Sequence, residues 1–234
     1  MSNLYKIEGL TKKYKIADKE NVILSNLDLV IPNDEITVII GKSGCGKTTL
    51  LRMIAGLEDK TSGEIKFIDG NEEVASPKIG FVFQESRLLP WLTIKENTQI
   101  HNEGKAEETL TMLGLKEYIN MYPDQLSGGM AQRVSIARAL CYNPDTLLMD
   151  EPFSALDYFT RKQLLDEILN IYLKTKKGII FVTHNIEEGL TLGKNIFVMK
   201  DKKIKAYRIN ESYPRNLDNE DMIKLKNQIL KDII

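Results

Sequence analysis

Short apolar runs that stop abruptly at polar residues dominate the pattern of this 234-residue chain. Residues 4–7, 22–30 and 36–40 read as strands, with Pro32-Asn33-Asp34 marking the turn before the last of them. Residues 48–57 read as a helix, residues 64–68 as a strand, Asp69-Gly70 as a hairpin turn and residues 78–83 as another strand. From about residue 93 to 122 the character becomes helical: residues 106–113 place apolar side chains at helical spacing, and Gly114 is a stop signal. Residues 131–140 continue as helix. Residues 146–150 and 179–183 are near-continuous apolar runs, the pattern of parallel strands covered on both faces. A hairpin around Asp201-Lys202-Lys203 precedes a helical tail in which Met222, Ile223, Leu225, Ile229 and Leu230 form an amphipathic face. The pattern predicts an α/β core with a helical insertion.

Four of the runs end in groups of chemical interest. Ile40 gives way to Gly41, Phe83 to Gln84, Met149 to Asp150-Glu151, and Thr183 to His184. Ligands of open parallel sheets sit at the carboxyl ends of the strands, so the pattern predicts that these groups converge on one edge.

Composition narrows the class only by exclusion. Lys and Arg total 32 against 33 Asp and Glu, a net charge of −1, which gives no electrostatic reason to expect nucleic acid or anionic lipid as a partner. No apolar run approaches the ~18 residues of a membrane span, and residues 1–8 lack the apolar core of a signal peptide. The two cysteines, Cys45 and Cys141, make no disulfide framework and read as free thiols. A cytosolic chain with one large α/β domain is expected.

The chemistry is concentrated in two Gly-rich segments and one acidic strand end. Gly41-Lys42-Ser43-Gly44-Cys45-Gly46-Lys47-Thr48 has the form G-x-x-x-x-G-K-[ST], between a strand and a helix that continues through Thr49. Glycines there let backbone N–H groups face one concavity, Lys47 reaches the β/γ-phosphates, and the Thr48 hydroxyl can ligate Mg²⁺. The helix start supplies free N–H groups and partial positive charge, conditions that also favour a Cys45 thiolate. Leu147-Leu148-Met149-Asp150-Glu151 is an apolar strand ending in two acids: Asp150 is placed to support Mg²⁺ and Glu151 to polarise a water for attack on the γ-phosphorus. Gln84 reads either as a bridge between Mg²⁺ and that water or as an ordinary loop residue; His184 reads either as a γ-phosphate donor or as structural. His101 carries no role. Ser127-Gly128-Gly129 opens a second helix, with Ser127 as its N-cap, and so offers a second phosphate-binding helix end.

Leu126-Ser127-Gly128-Gly129, followed by Gln132-Arg133-Val134-Ser135-Ile136-Ala137-Arg138-Ala139-Leu140, resembles the signature of ATP-binding cassette (ABC) ATPases. The resemblance spans nearly the whole chain. It implies a P-loop NTPase core with a mixed, mainly parallel sheet (residues 1–84 and 145–215, including an N-terminal antiparallel β subdomain). It further implies an α-helical signature subdomain (85–144) and a short C-terminal helix (216–234). Under it, residues 150–157 look like the family's acidic strand end plus D-loop, with Asp157 at a dimer seam; Gln84 and His184 match the Q-loop and the switch histidine. Tyr14 falls where the family stacks an aromatic on adenine. The resemblance implies ATP and Mg²⁺ as ligands, with Thr48, Gln84 and Asp150 at the metal. It also implies a head-to-tail dimer in which ATP lies between the phosphate loop of one copy and Ser127-Gly128-Gly129 of the other. The segment 83–93 and Met130 are similar to importers of nitrate, sulfonate and taurine, a group that also takes up thiamine-precursor-like compounds. Membrane permease subunits and, indirectly, a solute-binding protein are the implied partners, with Leu88, Leu89 and Trp91 as groove-lining candidates and the inner face of the membrane as the location. An exporter or lipid-extraction ATPase and a non-transport ABC protein are the alternatives. Asn33-Asp34 and Ala131 depart from the usual family residues without touching a phosphate-handling group.

Overall fold

The computed structural model describes residues 3–16, 19–70, 72–74, 77–101 and 103–233. In chain order its elements are β1 (Leu4–Ile16), β2 (Lys19–Pro32), β3 (Ile36–Ile40), α1 (Lys47–Ile54), β4 (Ser62–Asp69), β5 (Glu72–Val74), β6 (Ile79–Val82), α2 (Ile94–Gln99), α3 (Ala106–Met112), α4 (Gly128–Cys141), β7 (Thr146–Asp150), α5 (Tyr158–Thr175), β8 (Gly178–Thr183), α6 (Ile186–Leu192), β9 (Asn195–Lys200), β10 (Lys203–Arg208) and α7 (Glu220–Ile233). Contacts gather them into two units, Met1–Pro77 with Lys177–Ile234, and Lys78–Lys176.

The first unit holds an antiparallel sheet of order β2-β1-β4-β5 and a second strand set in the order β10-β9-β3-β8. In the first sheet Tyr5, Ile7, Leu10, Leu24, Ile31 and Phe67 are buried, and the Tyr5 and Phe67 rings meet at 4.9 Å. In the second, β3 runs parallel to both β8 and β9. Every residue of β3 and β8 is buried, which is why these strands read as unbroken apolar runs rather than alternating ones. The β9–β10 hairpin closes through Asp201 and Lys202, both at positive φ, as a tight turn matched to strand twist requires. A polar latch ties this edge to β3: Arg208 grips Glu35 with both Nη atoms, at 2.7 and 2.9 Å, and Asn195 joins it at 2.8 Å. Burial alone would raise the Glu35 carboxyl, but these bonds hold it below its usual range.

In the second unit β6 and β7 are parallel, with Ile79 opposite Thr146 and Val82 opposite Met149. Gly80 sits where an added Cβ would lie 2.9 Å from the Ala139 carbonyl, so the strand can approach the backbone of α4. Helix α4 is the core of this unit, burying Val134, Ile136, Ala137 and Cys141. Helix α3 ends before Gly114, which takes φ +68°.

Two readings need correction. Strand β1 continues well past residue 7, to residue 16, because antiparallel pairing with β2 carries it outward through several bulges. The tail helix α7 is not one apolar face: Met222 and Ile229 are buried, whereas Ile223 and Leu230 are exposed. Each residue turns the helix by 100°, so the pair 223/230 lies on a second stripe beside 222/229.

Candidate nucleotide site

The phosphate loop belongs to the first unit. Its strand β3 pairs Ile40 with Thr183 of β8 and with Val198 of β9. That register brings His184 beside Gly41 at the strand ends, and it lays Gly41 against the β9 backbone. A Cβ on Gly41 would stand 2.5 Å from the Met199 carbonyl oxygen, so only glycine fits. Gly46 caps α1 at φ 105°, a left-handed conformation that a side chain would strain. Lys47 is buried, and its ammonium donates to the carbonyls of Gly41 at 2.9 Å and Lys42 at 3.1 Å. The cation is thus held inside the curve of the loop, where a polyphosphate would meet it together with the first N–H groups of α1. An added Cβ on Gly44 meets nothing within 4 Å, so that part of the loop lies open.

Tyr14 lies on β1, in the sheet whose strand β2 borders this loop. An added Cβ on Gly46 would lie 2.9 Å from Ile23 Cγ2 and 3.3 Å from Leu24 Cδ2, so β2 passes directly beside the loop. Leu24 pairs with Lys12 across the sheet, and Tyr14 pairs with Asn21 a little further toward the hairpin end. His184 is exposed in a turn whose backbone is pinned on both sides. The Thr183 hydroxyl accepts from the Asn185 amide at 3.0 Å and donates to Glu188 at 2.5 Å, while Asn185 caps α6 by accepting from the Glu187 and Glu188 amides.

The second unit carries the acidic strand end. The register of β6 and β7 sets Phe83 and Gln84 beside Asp150 and Glu151. Asp150 is buried and Glu151 half-buried, at φ 44°. A non-glycine residue in that region stores strain, and such strain gathers at functional sites. Buried Pro152 and Phe153 anchor the turn that follows. Ser154 links the two strand ends: its hydroxyl donates to the Glu151 carbonyl at 3.0 Å and accepts from the Gln84 amide at 3.4 Å. Ser127 caps α4 by accepting from Met130 N at 3.3 Å, and an added Cβ on Gly128 meets nothing within 4 Å. Gly129 is packed instead: its Cβ would lie 2.6 Å from Thr160 Cγ2. Asp157 caps α5 by accepting from Phe159 N and Thr160 N, and the Thr160 hydroxyl and amide hold its carboxyl below the usual range. The glycine-opened helix and the Asp157 turn are therefore in direct contact.

A family model described as "ABC transporter" matches residues 24–154, more than half of the chain. This chain belongs to the ABC transporter family. The aliphatic sulfonates import ATP-binding protein SsuB of Bacillus cereus is 40% identical over 237 residues, covering 96% of this chain and 94% of that protein. The glycine betaine transport ATP-binding protein OpuAA of Bacillus subtilis is 42% identical over 233 residues, covering 91% of this chain and 56% of that one. Among solved structures, a dimeric post-hydrolysis state of the ATP-binding cassette MJ0796 bound to ADP and Pi is 32% identical, with a TM-score of 0.78 over 89% of this chain and all of that one. The fold is that of an ABC ATPase with its P-loop NTPase core, and the family's ligand is ATP.

Two residues of the signature segment make contacts in this ABC cassette that no sequence pattern announces. Arg138 of α4 donates to the carbonyls of Ser86 and Arg87 at 2.9 Å each, and Gln132 reaches the Phe83 carbonyl at 3.5 Å. The helix that opens with Ser127-Gly128-Gly129 thereby holds the loop that carries Gln84. Trp91 is 70% exposed and Leu88 and Leu89 are half-buried, so the tryptophan is not core. Cys45 corrects the expectation of a favoured thiolate. It precedes α1 rather than opening it, and burial pushes its thiol up despite Lys47. Alkylation at neutral pH should accordingly run slower than for a free cysteine, gain speed as pH rises above the ordinary thiol range, and slow further with ATP bound. Mass spectrometry of iodoacetamide-treated protein checks this; fast labelling at pH 7 would contradict it.

Proposed function

We propose that this chain is the ATP-hydrolysing subunit of an ABC importer that works as a head-to-tail dimer. The observation that carries the dimer is the open N-terminus of α4: its Ser127 cap and bare Gly128 form a phosphate-type helix end in a unit whose own chain segment contains no phosphate loop. A second copy supplies the missing ligand, with Asp157 at the seam.

ATP lies on Gly41 to Thr49, its base on Tyr14, and Ser127, Gly128 and Gly129 of the other copy close over the γ-phosphate. Glu151 takes a proton from a water oriented by Gln84. The water oxygen forms a bond to the γ-phosphorus as the bond to the bridging oxygen breaks, leaving ADP and phosphate. Lys47, with the N–H groups of α1, stabilises charge on the transferring group, and His184 donates to it. In this reading the donors for Mg²⁺ would be oxygens, from the Thr48 hydroxyl, the Gln84 amide and the Asp150 carboxylate, a set suited to a hard cation. Bound Mg²⁺ would neutralise phosphate charge.

Residues 85–144 form the signature subdomain in this reading, with 1–84 and 145–215 as the core and 216–234 as the terminal helix. No helix among the described residues is long and apolar enough to cross a membrane. The chain docks from the cytoplasmic side on integral-membrane permease subunits, with Trp91, Leu88 and Leu89 at the contact, and a solute-binding protein acts indirectly through them. The balanced charge gives no electrostatic reason to expect nucleic acid as a partner. The relatives named for aliphatic sulfonate import support a small solute of that kind as cargo. Purifying the tagged chain from native membranes tests the reading: a permease-type membrane protein should co-purify, and Trp91→Ala should release it. Recovery with ribosomes or DNA would overturn it.

A further inference from the structure

Lys12 on β1 is 8% exposed, a degree of burial rare for lysine. Its ammonium lies 2.6 Å from Glu58 Oε1 and donates to the Asp59 carbonyl at 2.6 Å. The same ammonium stands 4.6 Å from the centroid of the Tyr14 ring. The Tyr14 hydroxyl donates to Glu58 Oε1 at 3.0 Å. One carboxylate oxygen thus receives both the cation and the phenol, and the ring is held at its rim by Glu58 and on a face by Lys12.

Chain geometry delivers Glu58 to this place. Helix α1 ends in a closed motif: Gly56 takes φ +68°, its amide bonds the Met53 carbonyl, and the Leu57 amide bonds the Arg52 carbonyl. Two residues later the chain meets β1. The helix whose first turn faces the phosphate loop is therefore followed at once by the residue that anchors the Tyr14 ring. The hydrogen bonds from Lys12 and Tyr14 also hold the Glu58 carboxyl below its ordinary range, so it stays an acceptor at neutral pH.

We propose that Lys12 and Glu58 are positioning residues for the nucleotide base, fixing the plane of the Tyr14 ring so that adenine stacks on it without a cost in ring ordering. The proposal rests on the reading of Tyr14 as the base platform. Stacking on an aromatic ring gains most when the ring is already oriented, and a partly desolvated cation on a ring face is a strong orienting contact. A fold brace would act on the whole domain; a base-positioning clamp acts only on ligands that carry a base.

Calorimetric titration of ATP and of inorganic tripolyphosphate separates the two. Glu58→Ala and Lys12→Met should each weaken ATP roughly 5- to 10-fold, the size expected when a rotamer-rich group must be ordered on binding. Tripolyphosphate should change less than about twofold. Lys12→Arg, which keeps a cation over the ring, should restore most of the ATP affinity. Adding Glu58→Ala to Tyr14→Ala should cost nothing beyond Tyr14→Ala alone. If Lys12→Met does not fold, Tyr14→Phe, which keeps the ring and loses only the hydroxyl, should still show a selective loss for ATP. Equal weakening of both ligands, or unchanged ATP binding in the clamp variants while Tyr14→Ala loses it, would overturn the clamp alone. A wild-type chain with no preference for ATP over tripolyphosphate would overturn the base platform itself.

Discussion

Glu151→Gln is expected to leave ATP binding intact and to slow hydrolysis by roughly 100- to 10,000-fold, the usual contribution of a positioned general base. Three observations single out Glu151. It follows the buried strand β7 at the point where the chain leaves it, its backbone is held at φ 44°, and Ser154 ties its carbonyl to the neighbouring Gln84. The amide of Gln keeps the size and polarity of the carboxylate but cannot accept a proton, so the loss falls on the chemical step. ATP should then accumulate uncleaved and hold two copies together, visible as a doubled mass in light scattering. Hydrolysis at the wild-type rate would remove Glu151 as the base.

Lys47→Ala should weaken ATP about 10- to 100-fold, as expected when a charge-assisted contact of about 1.5–3 kcal/mol is lost. The ammonium is buried and already directed at the carbonyls of Gly41 and Lys42, so it enters the bound state with little to reorganise. Tripolyphosphate should weaken by the same factor, because Lys47 meets the phosphates and not the base. Lys47→Arg should not rescue binding, since a planar guanidinium does not fit where a compact ammonium is enclosed by the loop. Retained affinity for both ligands would contradict the assignment.

The features legible in the sequence were those encoded locally. Residues 36–40, 146–150 and 179–183 match β3, β7 and β8 closely, because burial on both faces leaves an unmistakable apolar run. Ser127 as a cap and Gly114 as a stop follow from chemistry within one helical turn. What stayed hidden depends on pairs far apart in the chain. Lys12 finds Glu58 across 46 residues, and Arg138 finds Ser86 across 52; neither pair has a sequence pattern. Burial of the Cys45 thiol and the split face of α7 likewise depend on what packs nearby. Ser154 was in view as part of the Asp157 motif, but its bond to Gln84 needed the register of β6 and β7.

In the proposed head-to-tail dimer each phosphate loop is incomplete until a second copy closes over it. Lys47→Ala disables the loop. Gly128→Asp places a negative charge at the open end of α4, where an added Cβ meets nothing within 4 Å and an acidic residue suits a helix start, so the variant should fold. Each variant alone should be inactive. A mixed dimer, however, pairs the intact loop of the Gly128→Asp copy with the intact helix end of the Lys47→Ala copy. ATPase activity of an equimolar mixture should therefore recover to about a quarter of wild type, since half of randomly formed dimers are mixed and each has one sound site. A mixture no more active than the sum of its inactive parts would contradict the account.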